Sequence, residues 1–105
     1  MPFNYDLVRR MIEITAEHSR HPGIARLYRL QWEEVQQIHV LLFPEGMVKL
    51  NRSAGEIMHR CDGKRSTAKI IDELEELFGT TGLGADVDAF LTFATEKGWI
   101  DWSHA

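Results

Sequence analysis

RLQWEEVQQIHVLLFPEGMVKLNRSAGEIMHRCDGKR, residues 29–65, holds the pattern from which the architecture follows. Residues 30–32, 39–43 and 47–50 are short, largely apolar runs of the kind that fit a pleated surface, and they predict three strands. Between the first two, Glu33-Glu34-Val35-Gln36-Gln37 reads as a hairpin loop; between the last two, Pro44-Glu45-Gly46 supplies turn chemistry. Ser53-Ala54-Gly55-Glu56 has the spacing of a capping box, a hydroxyl followed three residues on by a carboxylate, and so opens a helix. Nothing in the stretch pairs a nucleophile with a base. A sheet that leads into a helix without catalytic groups is a scaffold for binding.

Downstream the apolar residues recur at the 3.6-residue period of helices. Ala54, Ile57, Met58 and Cys61 share one face of the first helix, which Asp62-Gly63 terminates; the second opens at Ser66 or Thr67 and repeats Ile70, Ile71, Leu74, Leu77 and Phe78. In the third, residues 85–97, Val87, Phe90, Leu91 and Ala94 fall within one arc at about 100° per residue. Phe93 falls outside that arc, near the line of Asp86, Ala89 and Lys97. It is either covered by a neighbouring loop or N-terminal segment, or it floors a groove. The order of elements predicts an α+β, winged-helix-like domain, a three-stranded antiparallel sheet packed on three helices. Three strands cannot close on themselves, so at least one edge stays open to a peptide.

Residues 5–18 place Leu7, Val8, Met11, Ile12 and Thr15 at helical spacing, with Asn4 as a possible cap, and predict an N-terminal amphipathic helix. His21-Pro22-Gly23 reads as its end and the start of a linker, dividing the chain into an extension over 1–25 and a domain over 26–105. The apolar face of that helix would pack on the domain, compete for its groove, or self-associate, which predicts a monomer or weak homodimer. No run of about eighteen uncharged apolar residues exists and charges interrupt the N-terminus, so a cytoplasmic protein with no membrane span or signal peptide is expected. Cys61 is the single cysteine and sits on an apolar helical face, where it reads as a small buried hydrophobe.

The net charge of −4 is unevenly spread. After Arg65, eight acids (Asp72, Glu73, Glu75, Glu76, Asp86, Asp88, Glu96 and Asp101) stand against Lys69 and Lys97, whereas Lys49, Arg52, Arg60, Lys64 and Arg65 cluster near the third strand and first helix. A third helix that carries Asp86, Asp88 and Glu96 against one lysine argues against a DNA recognition helix and against nucleic acid as partner. The glycine-rich loop 79–84 has no lysine and no preceding strand, so it does not read as a phosphate cradle. His18 and His21 near Glu17 lack ligands to complete a metal site, and no cofactor is implied. Asp86 and Asp88 read as acids favourable at a helix N-terminus.

From Arg29 onward the chain resembles the PqqD family of pyrroloquinoline quinone (PQQ) biosynthesis. The resemblance is carried by Arg29-Leu30-x-Trp32, His39-Val40-Leu41-Leu42 with Pro44-Glu45, Val48-x-Leu50-Asn51, Ile57 with Cys61-Asp62-Gly63, Ile70-Ile71-x-Glu73-Leu74, Asp86-Val87-x-x-Phe90-Leu91 and Gly98-Trp99-Ile100. It implies a non-catalytic peptide chaperone that binds the precursor peptide PqqA and presents it to PqqE, a radical SAM enzyme. It also implies a peptide lying between the third strand and third helix as an added strand. On this chain the backbone of Val48, Lys49, Leu50 and Asn51 would bond the peptide. Ala89, Phe90 and Phe93 would receive its apolar residues, with Asp86 alongside, and Lys49, Arg52 and Lys97 would pair with its acids. A structural or oligomerisation domain of a larger biosynthetic assembly is the alternative class.

Overall fold

The computed structural model describes residues 18–103; the helix expected over 5–18 lies, but for its last residue, outside them. In chain order the elements are β1 (His21–Ile24), β2 (Arg29–Glu33), β3 (Ile38–Phe43), β4 (Gly46–Lys49), α1 (Arg52–Arg60), α2 (Thr67–Phe78), α3 (Gly84–Glu96) and β5 (Ile100–Ser103). β2, β3 and β4 form the expected antiparallel three-stranded sheet with β3 central, and three helices follow it. Leu30 pairs with Leu41 and Leu41 with Val48, so one sheet face presents an apolar row to the helices. Against that row lie Ile57 and Met58 of α1, Ile70 and Leu74 of α2, and Val87, Leu91 and Ala94 of α3, all buried.

Two local expectations are corrected. The N-cap of α1 is Asn51, not Ser53: its side chain accepts from the Ala54 N–H at 2.8 Å. Leu50 still belongs to the ladder, its N–H donating to the His39 carbonyl at 3.0 Å, so Asn51 is the first residue that can turn the chain, and asparagine caps as well as serine. Glu56 does not complete a capping box; it accepts from Arg60 Nη1 at 2.7 Å. Arg60 also reaches Glu73, joining α1 to α2.

The second correction concerns His21-Pro22-Gly23, which is strand and not linker. β1 pairs antiparallel with β5, from His21 opposite Ser103 to Ile24 opposite Ile100, and Gly23 bridges to Asp62. The N–H of Gly63 donates to the Pro22 carbonyl, that of Ile24 to Cys61 and that of Ala25 to Trp99. Pro22 lacks an N–H, yet a proline is tolerated in a two-stranded ribbon whose strands are all edges. Gly23 suits this place because a Cβ there would meet the Gly63 backbone at 3.4 Å. β1 thus ties the end of α1 to the C-terminal strand.

The tightest contact between layers is at Gly55. A Cβ on Gly55 would lie 2.7 Å from Nδ1 of His39 and 3.2 Å from its Cβ. The imidazole cannot move aside: Trp32 stands edge-on to it at 4.9 Å and His59 at 5.4 Å between ring centroids. Gly55→Ala should therefore destabilise the fold by about 1–3 kcal/mol in urea denaturation, overpacking outweighing the gain in helix propensity. Burial first, and the His59 imidazole second, hold the His39 pKa below its ordinary 6.5, against an upward pull from Glu56. Such a histidine binds protons more readily when unfolded, so its contribution is fully present above pH 6.5 and is lost as the pH falls below that toward the folded value. Urea denaturation from about pH 8 to about pH 5 should show this loss, with a shallower slope in His39→Gln.

Candidate functional site

β4 is an outer strand of its sheet. In an antiparallel ladder, residues alternate between turning both backbone groups to the partner and turning both away. Leu50 donates to His39, and Leu41 is opposite Val48, so Val48 and Leu50 bond inward. Met47 and Lys49 consequently direct their N–H and C=O groups to the outer edge. Their side chains are exposed, Met47 at 54 %, while Val48 and Leu50 pack into the core. The offered backbone is therefore narrower than the run 48–51, and it alternates. Asn51 is committed to the turn, since its side chain caps α1 and its carbonyl accepts from the Gly55 N–H.

The matching wall comes from α3. Val87, Leu91 and Ala94 are buried on its inner arc, and Phe90 at the arc's edge is partly buried against the same core. Phe93, a further turn around, is 44 % exposed. It is nonetheless held: Trp99 meets it edge-on at 5.4 Å and 87°, Phe90 stands 6.5 Å away, and Lys97 Nζ lies 5.5 Å over its ring. Neither a loop nor a neighbouring helix of the described residues seals it. Ala89 and Asp86 are exposed on the same flank.

β4 and α3 are not closely packed against each other. What spans them is the end of α2. Arg52, at the first turn of α1, lies 5.1 Å over the Phe78 ring. Ser53, Ile57, Phe78, Leu83 and Asp86 share the lining of a mostly apolar cavity of about 200 Å³. Arg52 and Asp86, distant in sequence, thus approach a common aromatic. Phe78 was assigned to the core by its periodic spacing, and nothing in the pattern separated it from residues that touch no cavity; Trp99 was named only among the residues that carry the family resemblance.

The chemistry of this cleft is that of recognition. Cys61 is buried and donates to the Ile57 carbonyl, and burial, helped by the Asp62 carboxylate, pushes its thiol pKa up to about 12, so it is no nucleophile. His18 is engaged with Asp88 at 3.0 Å, and among the described residues no three His, Cys, Asp or Glu side chains gather as a metal site would require. An open strand edge, aromatic rings in the wall and cations at both ends (Lys49 and Arg52, Lys97) are suited to an extended chain bearing apolar and acidic side chains. No described helix is long and apolar enough to cross a membrane.

Comparison with known proteins gives the family. Residues 39–100 match the family model for PqqD, coenzyme PQQ synthesis protein D. A protein of Pseudomonas syringae named PqqA binding protein is 53% identical over 75 residues, covering 70% of this chain and 80% of its own. Namesakes in Azotobacter vinelandii, 49% identical over 76% of this chain and 88% of theirs, and Methylococcus capsulatus, 43% identical over 73% and 83%, are similar throughout the same region. Among solved structures, the solution NMR structure of the PqqD truncation of Methylobacterium extorquens PqqCD, described as a stand-alone recognition element for ribosomally synthesised and modified peptides, superposes with a TM-score of 0.64 at 27% identity, over 76% of this chain and 87% of the other. A chain with this sheet, these helices and these relatives belongs to the PqqD family.

Proposed function

We propose that the protein is a peptide chaperone of PQQ biosynthesis that binds the precursor peptide PqqA in the cleft between β4 and α3 and presents it to the radical SAM enzyme PqqE. The observation that carries this reading is the open outer edge of β4, where Met47 and Lys49 direct backbone groups outward; Phe93, exposed on α3, would supply the aromatic wall. Relatives named for PqqA binding support the choice of peptide. Paired with this edge, PqqA would become a fourth strand, its amides bonded without regard to sequence. Specificity would come from Phe90 and Phe93 receiving apolar side chains, and from Lys49, Arg52 and Lys97 meeting acids. Each exposed ion pair would add only about 0.2–1 kcal/mol, so the aromatics and the backbone must carry most of the affinity. The acidic character of α3, with Asp86 and Asp88 in its first half, opposes the phosphate contacts of a DNA-binding relative of the fold.

The chaperone would perform no chemistry of its own. By holding a flexible peptide extended beside the enzyme it would raise the local concentration of the segment to be modified and lower the ordering cost at the active site.

Titrating isotope-labelled protein with synthetic PqqA and following the backbone amides by NMR should shift Met47 to Arg52 together with α3; shifts confined elsewhere would refute the cleft. Phe93→Asp should weaken binding by about tenfold or more while the fold persists. Lys49→Pro offers a sharper separation. Its missing N–H faces outward on an edge strand, where proline is tolerated, so the domain should fold yet lose strand addition. Unchanged PqqA affinity in a folded Lys49→Pro variant would remove the added-strand mode.

A further inference from the structure

α3 has a second flank, turned away from the proposed PqqA cleft, and it borders a cavity of about 260 Å³ whose lining mixes polar and charged side chains with Leu91 and Trp102. Arg20 enters this cavity from the segment before β1, with its guanidinium carbon 4.6 Å over the Trp102 ring of β5. Its Nε is buried and has no hydrogen-bond partner, and its guanidinium makes no ion pair among the described residues. Its backbone is fixed, because the Arg20 carbonyl accepts from both the N–H and the Oγ1 of Thr67. Trp102 is fixed in turn by its indole N–H, which donates to Thr95 Oγ1 at 3.0 Å, while Thr95 donates to the Leu91 carbonyl. Thr92, between them on the helix, lines the same space. Asp88 is matched by His18.

We infer that this cavity is a carboxylate-binding site, with the Arg20 fork as its anchor and Trp102 as its flat wall. A buried guanidinium N–H without an acceptor is costly, and a planar carboxylate meets the fork with two parallel hydrogen bonds. Stacking on an indole leaves the edge of the guanidinium, where its donors lie, directed to the incoming group. The space takes one acid-bearing side chain or one small organic acid and not a length of peptide. A dianion is disfavoured, since Asp88 and Glu96 also line the cavity. The carboxylate would come either from an Asp or Glu side chain of a partner protein docking on this flank or from a free small acid, and either could bind while PqqA occupies the opposite one.

The test uses the full chain, labelled with ¹⁵N, and reads the Trp102 indole N–H and the Arg20 Nε–H. The probes are N-acetyl-glutamate methylamide, acetate, inorganic phosphate and the uncharged N-acetyl-glutamine methylamide, against sodium chloride at matched ionic strength. Saturating shifts of both signals with the glutamate probe, absent with glutamine and chloride, are expected. Acetate acting equally well would assign the site to free acids, and the glutamate probe acting alone would assign it to a protein side chain. Arg20→Gln should abolish the response, and Arg20→Lys, which keeps the charge but not the fork, should weaken it several-fold, with PqqA affinity unchanged in both. Equal shifts with chloride or glutamine, tighter binding of phosphate, or no saturable shift would overturn the assignment.

Discussion

The approach of α1 to the sheet at Gly55 is the contact on which the rest of the arrangement depends. His39 projects from the central strand into the space a side chain on Gly55 would need, and Trp32 and His59 hold it there. With α1 drawn down onto β3, the link from β4 can be only Leu50 and Asn51, one residue still in the ladder and one capping the helix. That tight corner puts Arg52 over Phe78, next to the cavity that Ser53 of α1 shares with Asp86 and Val87 of α3.

A second constraint acts from the other end of the chain. β1 and β5 form a ribbon that bonds to the Cys61–Gly63 turn and to Trp99, so the C-terminal strand cannot swing away from the helices. Trp99, just before β5, is thereby placed edge-on to Phe93, while Trp102, three residues on, is placed under Arg20 on the far side of α3. The short stretch from Trp99 through β5 thus furnishes an aromatic to each flank of the same helix. Buried Leu91 and Ala94 lie between, so the two flanks are separated by close-packed core.

The sheet β2-β3-β4 and the three helices were legible because each is written locally: short apolar runs with turn residues between them, then 3.6-residue stripes, the first closed by Asp62-Gly63. β1 and β5 were not, because Pro22-Gly23 and Gly98 carry breaker chemistry and their pairing is satisfied only by partners at the opposite end of the chain. The cap of α1 was misplaced for a related reason. Asn51 and Ser53 are both good caps, and only the extent of the β3–β4 ladder chooses between them. On the site side, Phe93 could be singled out since its angle on the helix leaves the core arc. Phe78 could not, because a periodic apolar residue at the rim of a cavity looks the same as one at its centre, and Trp99 lies past the end of the helix, where no period places it. Arg20 gave no signal at all, as its meaning lies in Trp102.

The balance of forces in the cleft follows from where order already exists. Phe93 is exposed, yet Trp99, Phe90 and Lys97 restrict its rotamers before any ligand arrives, so little side-chain entropy remains to be lost on contact. The β4 edge is likewise pre-set, since the inward bonds of Val48 and Leu50 fix the direction in which Met47 and Lys49 present their groups. Most of the ordering cost of association then falls on the incoming chain. A short peptide pays that cost over every residue it extends, and regains it through backbone bonds that recur at every second residue of the edge. Under the proposed strand addition, the two outward-facing residues in β4 would limit that return, and most of a longer peptide would stay unpaired.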